Sequence, residues 1–153
     1  MYNFSNVDFE KYLLELEYKL LNESEKLEVS LTRDWANSFP IESAVYLFRE
    51  NDNVCYIGET GSLRGRMADV LNTKNHTLRR NVGNKHYSSF PNYEKASSKK
   101  GFSFDIEELL NTKIKTHFTV SYIIVNLGRK ELEESLYYKL RPQYCIKGKR
   151  GKK

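Results

Sequence analysis

Residues 43–49, Ser-Ala-Val-Tyr-Leu-Phe-Arg, lead through Glu50-Asn51-Asp52-Asn53 into residues 54–58, Val-Cys-Tyr-Ile-Gly. Both flanks are apolar and rich in β-formers, and the four residues between them are polar. The pattern predicts a β-hairpin with a four-residue loop. Downstream, Glu59 to Ser62 is a second turn. Leu63 to Leu71 then reads as a short basic helix, with Leu63, Met67, Val70 and Leu71 on one side. Asn72 to Asn75 breaks it, and His76 to Val82 starts another helix. Tyr87 to Ser103, rich in Ser, Lys, Asn and Tyr, reads as loop, and Asp105 to Leu110 as a short helix. Residues 117–126 are the clearest strand. Leu132, Leu136 and Leu140 repeat every four residues, a helix from about Arg129 to Leu140 that stops before Pro142.

Upstream, Phe9, Tyr12, Leu13, Leu16 and Leu20 fall at helical spacing, with Asn6 or Asp8 as cap and an end near Asn22. Leu27 to Pro40 is mixed. The expected fold is α/β (α+β): a small sandwich of about three mixed or antiparallel strands, flanked by helices, with an N-terminal helical extension. Residues 1–40 form the extension, 41–146 the body with an insertion at 72–116, and 147–153 a basic tail.

The length, 153 residues, suits one domain. With 39% hydrophobic and 29% charged residues, the chain has neither a disordered nor a membrane composition. Met1 to Phe9 lacks the basic and apolar regions of a secretory leader, so a cytoplasmic protein is expected. Two cysteines, Cys55 and Cys145, are too few for a disulfide framework or a four-cysteine zinc site. Residues 1–40 hold eight acids against four Lys/Arg, and residues 41–153 twelve against twenty-one. A basic body of this kind suits a polyanionic partner, most simply nucleic acid.

Ala44-Val45-Tyr46 and, nine residues on, Tyr56-Ile57-Gly58 resemble the signature of the GIY-YIG nuclease superfamily. Leu63-Arg64-Gly65-Arg66 follows at the family's spacing, with Arg66 eight residues after Gly58. Leu132-Glu133-Glu134-Ser135-Leu136, then Arg141-Pro142-Gln143-Tyr144, resemble its glutamate helix and Pro-x-Tyr-Asn ending. The resemblance covers about residues 42–146 and looks like that to a stand-alone, restriction- or defence-type member. It implies a metal-dependent endonuclease that hydrolyses DNA phosphodiester bonds.

By that resemblance Glu133 is the ligand of Mg2+ or Mn2+, Arg66 the phosphate-binding cation, Tyr56 the base or water-positioning residue and Tyr46 its assistant. The chemistry is compatible: one carboxylate with waters and substrate phosphate suffices for Mg2+, and an arginine fork suits a non-bridging phosphate oxygen. Three positions depart from the family. Glu59 stands for a lysine, Val70 for a His or Tyr, and Cys145 for the asparagine. His76 is the candidate to fill the place left by Val70, either in catalysis or as a phosphate contact.

Arg64, Lys74, His76, Arg79, Arg80, Lys99 and Lys100 are the expected nucleic-acid contacts, with Lys85, Lys95, Tyr87, Phe90 and Tyr93 interleaved among them. Cutting both strands favours a homodimer through the N-terminal helix. The rival readings are a nucleic-acid-binding module with a decayed nuclease site and a nuclease directed at RNA.

Overall fold

The computed structural model describes residues 5–145, so the basic tail at 147–153 lies outside the described residues. The order of elements is α1 (Asn6–Tyr18), a π-helical turn (Lys19–Glu23), β1 (Leu27–Glu28), α2 (Arg33–Asn37), β2 (Ala44–Glu50), β3 (Asn53–Thr60), α3 (Leu63–Asp69), α4 (Thr77–His86), α5 (Phe104–His117), β4 (Phe118–Ile124) and α6 (Arg129–Leu140). The α+β class is as expected. The sheet, however, has four strands, in the order β1-β4-β2-β3, and every pairing is antiparallel. The extra strand is the two-residue β1, too short to register as an alternating pattern in the mixed segment 27–40.

Side chains from alternate positions of the strands feed two core layers. Ala44, Tyr46, Phe48, Phe118 and Val120 meet residues of α2, α3, α4 and α5 on one face. Val45, Leu47 and Ile57 meet Leu20, Leu132 and Leu136 on the other. The segment expected as an extension thus supplies Leu20, Val29, Ala36 and Phe39 to the core, all within 2% of full burial. Glu17 of α1 is also buried. It accepts hydrogen bonds from Ser135 Oγ (2.6 Å) and Lys139 Nζ (2.8 Å) of α6.

The β2–β3 hairpin turns through two residues, not four. Asn51 and Asp52 both have positive φ (51° and 74°), as two-residue hairpin turns require and as Asn and Asp tolerate. Near the turn Arg49 pairs with Val54, but the next pair is Phe48 with Tyr56. Cys55 has no partner in that register and forms a β-bulge. Beyond it, Tyr46 stands opposite Gly58 and Tyr56 opposite Phe48, so both tyrosines share the face that carries α3 and α4.

β3 is the outer strand, and its edge is covered by the C-terminal segment. Tyr144 N–H donates to the Cys55 carbonyl at 3.0 Å. Cys145 Sγ accepts from Ile57 N–H (3.2 Å) and donates to the Ile57 carbonyl (3.4 Å). An open strand edge is thereby closed without another strand.

Candidate active site

Where β3 meets α6, the two sides of the sheet open into one cleft of about 370 Å³. Its walls include Tyr46, Tyr56, Arg66 and Glu133, together with Gly58, Glu59, Thr77, Tyr137 and Cys145. Four residues singled out in the sequence, borne by β2, β3, α3 and α6, therefore face a common space. Tyr137 escaped the sequence reading, although its signal was present. It lies four residues after Glu133, on the same face of α6.

Tyr46 and Tyr56 stack with ring centroids 6.2 Å apart. Tyr46 is 1% exposed and Tyr56 8%. Burial, and next the neighbouring Tyr56, push the Tyr46 pKa well above its ordinary 10.0, although the Arg66 guanidinium opposes the shift. Burial raises Tyr56 too, and next the neighbouring Cys145, again against Arg66. Both phenols are therefore protonated at neutral pH.

Arg66 emerges from the last turn of α3. Its Nε donates to Tyr46 Oη at 3.3 Å, and its Nη1 donates to Asp69 Oδ2 (2.9 Å) and to the Asn75 carbonyl (3.1 Å). These bonds fix the guanidinium plane at the cleft wall. Despite partial burial, the adjacent phenols and Asp69 raise its pKa, so it remains a cation.

Glu133 is only 5% exposed, yet it borders the cleft. It follows Leu132 on the buried side of α6, which brings a carboxylate to the edge of the core. Among the described residues no three His, Cys, Asp or Glu side chains cluster as a closed metal cage. The donor set instead suits a cation of the Mg2+ kind, which keeps most of its waters and takes one or two carboxylates plus substrate phosphate. Glu59, the other carboxylate of the cleft, is engaged by Arg129 Nε at 2.8 Å.

The structure corrects two expected nucleic-acid contacts. His76 is fully buried, between the sheet and α4, and Arg79 is 2% exposed. Arg79 instead holds the insertion together. It donates to Thr73 Oγ1 (3.0 Å), the Val70 carbonyl (3.3 Å) and Glu107 Oε1 (2.8 Å). Glu107 also accepts from Thr73 Oγ1 and from Phe102 N–H. A run of Asn, His, Thr and Arg looks alike in sequence whether it grips a phosphate or a partly buried carboxylate of the same chain; only the tertiary position of Glu107 decides between them.

The other expected contacts lie nearer the surface. Lys74, Lys99 and Lys100 are exposed, the last paired with Glu94. Arg64 and Arg80 are partly buried. Arg64 Nε donates to the Phe39 carbonyl, and Arg80 donates to the carbonyls of Thr73 and Lys74 and to Thr77 Oγ1. In the loop at 87–103, Tyr93 is bonded to Asn84 and stacked on Phe102, whereas Phe90 remains 40% exposed. Val70 caps α3 at its C-terminus and lies fully in the core, away from the cleft.

No helix among the described residues is long and apolar enough to cross a membrane. No protein-family model matches the sequence, and no curated protein matches it significantly. Among solved structures, the chain is similar to the GIY-YIG N-terminal endonuclease domain of UvrC from Thermotoga maritima bound to magnesium. That similarity is 22% identity over 74% of this chain and 94% of the other, with a TM-score of 0.45. A point mutant of the same domain, bound to its catalytic divalent cation, matches with 22% identity over 74% and 93% of the two chains, at the same TM-score of 0.45.

Proposed function

We propose that this chain is a GIY-YIG endonuclease that hydrolyses DNA phosphodiester bonds with the help of a divalent cation, Mg2+ or Mn2+, in a restriction-type role. The observation that carries the reading is the convergence of Tyr46, Tyr56, Arg66 and Glu133 on one cleft. Hydrolysis needs a water aimed at phosphorus and neutralisation of the charge that grows on the phosphoryl oxygens. Arg66, fixed by Tyr46, Asp69 and Asn75, offers a permanent cation to a non-bridging oxygen. Tyr56, the more exposed of the two phenols, orients the attacking water. Glu133 would hold the cation, whose chemistry when bound is to lower the pKa of water and to neutralise phosphate charge.

Lys74, Lys99 and Lys100 supply exposed positive charge for the phosphate backbone. Cutting both strands with one cleft per chain calls for two chains. Val7, Leu14 and Tyr18 of α1, between 55% and 72% exposed, provide an apolar surface for that pairing. Sedimentation that finds only monomers on DNA would exclude it.

The test is incubation of the protein with supercoiled plasmid and with linear RNA, in Mg2+, Mn2+ or EDTA, beside Glu133→Ala. Metal-dependent cleavage of the plasmid, lost in the variant, is the expected result. Cleavage that survives Glu133→Ala removes the proposed ligand. Salt-sensitive binding without cleavage replaces the enzyme with a nucleic-acid-binding module, and cleavage confined to RNA changes the substrate.

A further inference from the structure

His76 is the N-cap of α4. Its Nδ1 accepts the backbone N–H of Leu78 at 3.1 Å, and its Nε2 lies 3.0 Å from Tyr46 Oη. A backbone N–H can only donate, so Nδ1 carries no proton and the ring proton sits on Nε2. Nε2–H therefore donates to Tyr46. Arg66 Nε, also an obligate donor, reaches the same phenol oxygen at 3.3 Å. With two donors arriving, the Tyr46 oxygen accepts from both, and its own hydroxyl proton is turned away from His76 and Arg66. The Tyr56 ring stacks against Tyr46, with centroids 6.2 Å apart, and lines the cleft beside it.

We infer that His76 is a positioning residue, which uses a tautomer locked by the start of α4 to hold the Tyr46 hydroxyl oxygen as an acceptor and so fix the ring on which Tyr56 stacks. This inference rests on the nuclease reading and deepens it. It gives the two tyrosines unequal tasks: Tyr46 is held from behind by two donors, and Tyr56 is the hydroxyl presented to water. It also explains how a side chain with no exposed surface bears on a site that it does not line. Burial together with the charges of Arg66, Arg80 and Arg79 disfavours the imidazolium, in keeping with a fixed neutral ring.

Two substitutions separate this role from simple helix capping. His76→Asn retains an acceptor at the position of Nδ1, among the best N-cap residues, but removes the donor to Tyr46. His76→Gln retains a donor near Nε2 and loses the cap. This positioning role predicts that His76→Asn lowers kcat by about tenfold, with KM for plasmid and Tm little changed. His76→Gln then keeps most of the activity although its Tm falls. In a Tyr46→Phe background His76→Asn has no further effect on kcat. The reverse order, with His76→Asn fully active and His76→Gln impaired, overturns the inference.

A readout independent of cleavage keeps it distinct from the nuclease reading. Nitrogen NMR of 15N-histidine-labelled protein at neutral pH is expected to find His76 protonated on Nε2 alone, and the Nε2 resonance to shift in Tyr46→Phe. A proton on Nδ1, or a doubly protonated ring, overturns the inference whether or not the protein cuts DNA. The expected tautomer in a protein that cuts nothing leaves the hydrogen-bond direction intact and removes only the nuclease.

Discussion

Tyr46 lies across its cross-strand partner Gly58, and a Cβ placed on Gly58 would come within 2.4 Å of the Tyr46 hydroxyl oxygen. The glycine is therefore demanded by the neighbouring phenol; its backbone is ordinary extended strand. The ring cannot step aside without leaving Arg66 and His76, which hold the same oxygen. Gly58→Ala is expected to lower kcat at least about tenfold and to destabilise the fold by roughly 1–3 kcal/mol, as overpacking does. Plasmid cleavage rates beside urea denaturation check both parts. A fully active Gly58→Ala protein would show that the phenol has no fixed place in the reaction.

The basic residues of the insertion divide into two classes by burial, and binding at several salt concentrations separates them. Lys99→Ala and Lys100→Ala are each expected to weaken DNA binding and to reduce the salt slope by about 1. Arg79→Ala leaves Glu107 without its cation and is expected to cost about 3 kcal/mol or more of stability. Below its melting temperature, the folded Arg79→Ala protein should keep the wild-type salt slope.

Glu17 ties α1 to the helix that carries Glu133. Glu17→Ala leaves Ser135 and Lys139 without their acceptor and is expected to cost roughly 1–3 kcal/mol. Lys139 is half exposed, so Lys139→Ala should cost less than about 1 kcal/mol. Thermal melts of both variants test that order. Equal losses would mean that the ion pair, and not the buried carboxylate, anchors the helix.

Acid should loosen the site before it unfolds the rest. His76 has a pKa held well below its ordinary 6.5 by burial and by Arg66, Arg80 and Arg79, with Tyr46 as its neutral partner from β2. The unfolded chain takes up that proton near pH ~6.5, whereas the folded chain refuses it. The stability tied to this group is thus fully present above the unfolded pKa. It falls as pH drops below that value, by at most about 1.4 kcal/mol per pH unit, until the folded pKa is reached. His86, lowered mainly by burial and then by Lys113, adds a decline of the same sign. Melting temperatures between about pH 8 and pH 5 should fall more steeply for the wild type than for His76→Gln. Parallel curves would show that His76 titrates normally.

The hairpin, the basic helix, the strand near 120 and the helix of Glu133 were legible because each is a local pattern with its own period. Tyr46, Tyr56, Arg66 and Glu133 were legible because each stands at a recognisable spacing. The two-residue β1 and five-residue α2 were hidden, being too short for any period to emerge. α5 extends from Phe104 to His117, well beyond the helix read at 105–110, because Asn111 to Lys115 interleaves polar residues with the core residue Ile114. His76 and Arg79 read as nucleic-acid contacts in the sequence because Asn and Thr donors and further cations flank them. Their true partners, Tyr46 and Glu107, lie 30 and 28 residues away.

The unpaired Cys55 has a consequence best put as parity. In an antiparallel pair the numbers of facing residues sum to a constant, and side chains share a face only when that constant has the right parity. Between the turn and the bulge the constant is odd, which would send Tyr46 and Tyr56 to opposite sides of the sheet; past the bulge it is even, and they meet. Any turn with an even number of residues, joined to strands without interruption, would separate the two phenols. The hairpin can therefore lengthen its turn by two residues and keep its chemistry, and it can even lose Cys55, since Val54 would then lead directly into Tyr56 opposite Phe48; what would carry Tyr56 through the sheet to the side of α6 is a ladder without the bulge, in which Cys55 itself took Phe48 as its partner.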